Sequence, residues 1–121
     1  MLQLDIVEDV ADQFIKLALV GELDTQGQTQ IAVRMTGLTV PFRRHAIVDL
    51  SGLTYISSMG IGLLLNINTG LKRQGKRLLL LSPPPLVAKV LSVVRLQKEL
   101  QIVESEEQLQ QLLADGTRSS A

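Results

Sequence analysis

Four consecutive leucines, Leu78 to Leu81, lie between Arg77 and the run Ser82-Pro83-Pro84-Pro85. The run is too short for a helix of its own, and a strand with leucine on both sides must be covered on both faces. The segment before it supplies one cover. His45 to Leu50 reads as a strand, Ser51 to Ile56 carries the chain off it, and Ser57-Ser58-Met59-Gly60 opens a helix. Gly60, Leu64, Ile67 and Leu71 recur on one helical face. Lys72 and Arg73 suit the negative end of that helix, and Gly75 ends it. Strand, helix, strand in this order is a βαβ unit with parallel strands. Leu79 and Leu81, with Leu64 and Leu71 of the helix, are expected to be deeply buried.

The flanks extend this unit. Leu2 to Ile6 alternates apolar and polar, as a half-buried strand does. Glu8 to Gln13 reads as a polar turn, and Phe14 to Val20 as a second strand closing an antiparallel hairpin. Gly21-Glu22-Leu23-Asp24 ends that strand. Thr25 with Gln28 fits a capping box, with Asp24 as the alternative N-cap. The helix that follows would bury Ile31, Met35 and Leu38, and Gly37 and Pro41 bracket its end. Pro83 to Pro85 leads into a further helix with Leu86, Val87, Val90, Leu91 and Val94 as its stripe. Gln101 to Val103 is a short edge strand. Ser105 with Gln108 forms a second capping box before a helix that buries Leu109, Leu112 and Leu113 and ends at Gly116. The expected fold class is α/β: a single domain over residues 1–116 with a mixed four- to five-stranded sheet. Its helices pack mainly on one face, and residues 117–121 form a frayed tail.

Composition narrows the function. The chain has 121 residues, 45% apolar, with 12 Lys+Arg against 12 Asp+Glu, no cysteine and 2% aromatic residues. Such hydrophobicity at zero net charge excludes a disordered body. Zero net charge argues against bulk attraction to nucleic acid or an anionic membrane, and three aromatics leave little for base stacking. Without cysteine there is no disulfide scaffold, thiolate zinc site or cysteine nucleophile. The N-terminus has no basic region and no long apolar run, so neither export nor membrane insertion is expected, and the cytoplasm is the expected compartment.

Chemical character concentrates between Val48 and Leu65. A strand leads through a short loop to two serines and straight into a helix. A serine there, Ser58 in the simplest reading, can cap the free amides of the first turn, and the same amides and dipole would accept a phosphate. Gly60 and Gly62 each cost the helix about 1 kcal/mol against alanine, which implies a close approach by the sheet beneath or by a partner outside. Other constellations fail. His45 and Asp49 lie four residues apart on one strand, ~13 Å at ~3.3 Å per residue, too far to share a hydrogen bond with each other in a triad with Ser58. The G-x-S-x-G elbow is absent, and Gly60-x-Gly62 lacks the third glycine of a dinucleotide loop. One histidine and no cysteine leave no zinc site. Lys72, Arg73, Lys76 and Arg77, the densest basic run, are accounted for by dipole compensation and solubility.

Gly21-Glu22-Leu23-Asp24, Asp49-Leu50-Ser51-Gly52-Leu53 and Ser57-Ser58-Met59-Gly60-Ile61-Gly62, followed in order by the leucine strand, the Ser-Pro segment and the Ser105 helix, resemble a sulfate-transporter and anti-sigma-factor-antagonist (STAS) domain. The likeness is to the small stand-alone bacterial antagonists and covers nearly the whole chain. It implies a non-enzymatic protein-binding domain without cofactor or metal. The implied partner is a cytoplasmic anti-sigma factor of the serine-kinase type, with a serine phosphatase as a further partner. In that family the helix starts Asp-Ser-Ser/Thr-Gly-Leu-Gly and its first serine is phosphorylated. With Gly60 and Gly62 as anchors that serine is Ser58, with Ser57 as the alternative. Ser57 replaces the acidic residue and Met59 the second hydroxyl. Tyr55, Ser57, Met59, Ile61 and Asp24 are the residues the resemblance assigns to partner binding. The other reading is a constitutive STAS interaction module of a transporter or signalling assembly, without a phosphate switch.

Overall fold

Strand pairing follows chain order. In the computed structural model, which describes residues 3–11, 14–39, 45–93 and 100–119, with side chains for 15–37, 39, 45–92 and 100–112, five strands form one sheet in the order β1-β2-β3-β4-β5. The elements are β1 (Gln3–Ala11), β2 (Phe14–Leu23), α1 (Thr25–Thr39), β3 (His45–Ile56), α2 (Ser58–Lys72), β4 (Leu78–Leu81), α3 (Pro85–Val93), β5 (Gln101–Val103) and α4 (Glu106–Ser119). β1 and β2 pair antiparallel, and β2 to β5 run parallel. This is the mixed sheet expected from the sequence.

The connections explain the layers. α1, α2 and α3 each carry the chain one strand further in the same direction, and crossovers of one hand that step one way place their helices on one face. Ile31, Met35, Leu64, Ile67, Leu71, Val87 and Leu91 accordingly share one core with Leu17, Leu19, Val48, Leu50, Leu78 and Leu80. α4 follows the last strand and folds back over the other face, where Leu109 and Leu112 meet Ile47, Leu79, Leu81 and Val103. Lys16 on β2 and Glu106 in the first turn of α4 form an ion pair across this layer. All four β4 leucines are buried, as a strand covered on both sides requires. The partners differ from expectation: Leu78 and Leu80 face α2, whereas Leu79 and Leu81 face α4.

Several boundaries also differ. Glu8 to Ala11, expected as a turn, continues β1, with Glu8 opposite Lys16. Among the described residues β1 pairs with β2 alone, and edge strands commonly carry charged residues of the kind that made this stretch look like a turn. β2 runs three residues past Val20, to Leu23, with Gly21 at φ 115°. β3 runs to Ile56, so Ser51 to Ile56 is strand, not loop. Asp24, not Thr25, caps α1: its Oδ1 accepts from Gly27 N–H at 2.7 Å. α1 ends at Thr39, between the two bracketing positions 37 and 41 as expected, whereas α4 continues past Gly116 to Ser119. Ser105 caps α4 as expected, its Oγ accepting from Gln108 N–H at 3.2 Å, while Gln108 Oε1 reaches one residue further back and accepts from Glu104 N–H at 2.9 Å. The expected contacts of Leu2, Pro41 and Val94, and of the side chains of Leu38 and Leu113, lie outside the described residues.

Candidate functional site

The outer half of β3 builds the site. β4 covers β3 only from Ala46 to Asp49. Beyond that, β3 pairs with β2 alone, and its register jumps twice: Ala18 faces Asp49 but Val20 faces Gly52, and Gly21 faces Leu53 but Glu22 faces Tyr55. Each jump places an extra residue in β3. The inward positions therefore become Leu50, Leu53 and Ile56, three apart instead of two, and all are buried. Asp49 Oδ1 accepts from Ser51 N–H at 2.9 Å and Thr54 Oγ1 donates to the Gly21 carbonyl at 3.2 Å, so side chains hold both irregular stretches. The ribbon ends at Ser57, whose N–H donates to the Leu23 carbonyl at 2.9 Å. That bond fixes the start of α2 on the end of β2.

Ser57 is the N-cap of α2. Its backbone is extended (φ −96°, ψ 171°), its Oγ accepts from Gly60 N–H at 3.2 Å and its carbonyl accepts from Ile61 N–H at 3.0 Å. The capping role expected of Ser58 thus belongs to Ser57. Ser58 is the first helical residue and is exposed. Its own amide and that of Met59 have no intramolecular acceptor among the described residues, as expected for the first turn of a helix. No acidic residue occupies that turn. An added anion at Ser58 would thus meet two free N–H donors and the positive end of the dipole, worth ~0.3–1 kcal/mol.

The two glycines separate. A Cβ on Gly60 would lie 2.6 Å from Leu23 Cγ and 2.8 Å from the Leu23 carbonyl oxygen, so the sheet beneath requires this glycine. A Cβ on Gly62 would meet nothing within 4 Å. No packing inside the described residues explains the helix cost at Gly62.

The residues assigned to partner binding divide in the same way. Tyr55 (47% exposed) and Met59 (50%) are large side chains left in solvent at this end. Ile61 is buried at 6% exposure in the core beneath α2, because it lies on the inward face three residues before Leu64. Ile61 therefore presents no exposed surface at this end. Asp24 is half-buried and serves α1 as its cap. Glu22, outside the set assigned to partner binding, is also exposed and lies opposite Tyr55 in the register. Only the length of β2 reveals that pairing. His45 begins β3 and Ser58 lies beyond its other end, ~36 Å of strand away at ~3.3 Å per residue, so the two share no site. Among the described residues no group of three His, Asp or Glu could hold a metal ion, and no helix is long and apolar enough to cross a membrane.

A parallel sheet of four strands with an antiparallel edge, three helices on one face and a capped serine pair at the α2 start define a STAS-type domain. The family model described as "Mlab, STAS domain" matches residues 6–104, and the chain belongs to the STAS domain family. Solved structures agree. A proposed anti-sigma factor antagonist of Thermotoga maritima superposes with a TM-score of 0.76 at 21% identity, covering 90% of this chain and 91% of that one. The anti-sigma factor antagonist SpoIIAA in its unphosphorylated form gives 0.74 at 25% identity, over 94% and 97% of the two chains. The phosphorylated form of SpoIIAA, from Bacillus, gives 0.65 at 24%, over 93% and 99%. The murine anion transporter Slc26a9 gives 0.59 at 16%, over 79% of this chain but 17% of the transporter.

Proposed function

We propose that this domain is an anti-sigma factor antagonist that binds an anti-sigma factor of the serine-kinase type through the start of α2, and that phosphorylation of Ser58 releases the partner. The observation that carries this reading is the division of labour between the serines. Ser57 is spent on the helix cap, whereas Ser58 offers an exposed hydroxyl beside two free amides. Tyr55 and Met59 supply apolar contact area around it, and the likeness to SpoIIAA, solved in both phosphorylation forms, supports the assignment. A phosphate adds about −1.5 to −2 charges, which the helix end accommodates in the free domain. Buried against a partner that offers no cation, the same charge costs several kcal/mol, and each ~1.4 kcal/mol is tenfold in affinity.

The test is phosphosite mapping of the protein isolated from its own host, followed by calorimetry with the anti-sigma factor it captures. Phosphate on Ser58, with weakened binding by Ser58→Asp and retained binding by Ser58→Ala and Ser57→Asp, is the expected outcome. Equal binding by Ser58→Asp and the parent protein would sink the switch. That result would favour the second reading, a constitutive interaction module of a transporter or signalling assembly. Two observations speak for it: Ser57 and Met59 stand where the antagonist pattern has an acid and a hydroxyl, and the fold also occurs as a small part of an anion transporter.

A further inference from the structure

Zero net charge conceals a segregation of charge. Residues 50–98 contain seven Lys and Arg and no Asp or Glu, whereas residues 1–33 contain six acids and a single cation, Lys16. The fold gathers much of the basic block at the end of the sheet opposite Ser57. The parallel strands start there, and α2 ends there, so the α2–β4 turn places Lys72, Arg73, Lys76 and Arg77 near His45 at the start of β3. Lys72, Arg73 and Arg77 are exposed and Lys76 is half-buried. Arg77 N–H donates to His45 Nδ1 at 2.9 Å, and Ala46 N–H donates to the Arg77 carbonyl at 2.9 Å, so the turn is stitched to β3. Burial lowers the His45 pKa, and the nearby charges of Lys76 and Arg77 lower it further. The one ion pair found among the described residues, Lys16–Glu106, uses none of these cations. Dipole compensation reaches only the last turn of α2, and Lys76 and Arg77 lie beyond it.

We propose that this basic end is a second docking surface, and that it takes an acidic segment of a partner protein. A bilayer is the poorer fit, because membrane-surface binding couples cations to inserted apolar side chains, and among the described residues none of the large exposed apolar side chains belongs to this cluster. A nucleic acid is poorer still. The protein as a whole carries no net positive charge to attract an extended polyanion. Because this surface and Ser58 lie at opposite ends of β3, both can be occupied at once, and the domain can join two partners.

The probe is a short synthetic peptide of alternating Glu and Ser, titrated into isotope-labelled full-length protein and followed by NMR. His45 is the only histidine, so its ring signals report on this end alone. The expected result is saturable shifts over residues 72–79, a rise in the His45 pKa as negative charge arrives, and weakening by salt. Lys72→Gln with Arg73→Gln, both at exposed positions, should lower the affinity about tenfold. The single variants serve if circular dichroism shows the double variant unfolded. Unchanged affinity in these variants, or shifts centred on α2 near Ser58, overturns the proposal. So does tighter binding to phosphatidylserine-containing vesicles or a single-stranded oligonucleotide than to the peptide, or self-association in sedimentation that accounts for the shifts.

Discussion

Alanine at Gly60 and alanine at Gly62 should move stability in opposite directions, although the residues are two apart on one helix. Both substitutions gain helix propensity, about 1 kcal/mol in a helix interior. At Gly62 nothing opposes the gain, since the new methyl meets open space. Gly62→Ala should therefore raise the melting temperature by roughly 3–5 °C, the shift about 1 kcal/mol produces in a domain of this size. At Gly60 the methyl would sit 2.6 Å from Leu23 Cγ and 2.8 Å from the Leu23 carbonyl oxygen. The side chain can turn away, but the carbonyl cannot. It also accepts the Ser57 N–H that anchors the α2 start, so moving it loosens the cap. Overpacking costs about 1–3 kcal/mol, and with the anchor strained the net effect should be a loss of about 1–2 kcal/mol. Urea unfolding of the two variants beside the parent protein measures both numbers. A Gly60→Ala protein as stable as Gly62→Ala would refute the close approach of α2 to the end of β2. If Gly62 is where a partner approaches, Gly62→Ala should also bind that partner more weakly while being the more stable protein.

Other consequences follow from the same geometry. Ser57→Ala should lose about 0.5–2 kcal/mol of capping, whereas Ser58→Ala should unfold within about 0.5 kcal/mol of the parent. Equal losses in urea denaturation would mean the caps are misassigned. Leu79→Ala and Leu80→Ala should each cost about 2–5 kcal/mol. Only Leu79→Ala should speed amide exchange in α4 selectively, and exchange spread evenly over α2 and α4 would contradict the two-sided packing. His45 has a folded pKa below its unfolded value near 6.5, because burial and the neighbouring Lys76 and Arg77 disfavour the imidazolium. The unfolded chain thus binds the proton more readily, so the His45 contribution is complete above about pH 6.5 and is lost as pH falls below it. Protonation also places a proton on the nitrogen that accepts Arg77 N–H. His45→Asn, whose Oδ1 can accept that N–H, should flatten the dependence of stability on pH between about 5 and 7, measured by urea midpoints.

Periodicity and turn chemistry alone determined most of the architecture. A four-leucine run can only be a strand covered on both faces, and a helix between two strands of one sheet makes them parallel. Those arguments depend on local spacing and reach the mixed sheet, the α2 stripe and the capped α4. Cysteine count and the lone histidine likewise left no disulfide, thiolate zinc site or cysteine nucleophile to consider, and the paired serines before Gly60 marked the start of α2. What stayed hidden depends on contacts between distant residues. Ser51 to Ile56 is polar and looks like a loop, yet it is strand because β2 lies beside it and two extra residues change its inward period from two to three. Leu79 and Leu81 differ from Leu78 and Leu80 only in which face meets which helix, and four identical side chains carry no such label. Two adjacent serines before a helix look alike in sequence. Ser57 became the cap and Ser58 the exposed hydroxyl because the Leu23 carbonyl on a neighbouring strand accepts the Ser57 amide and fixes where the first turn begins.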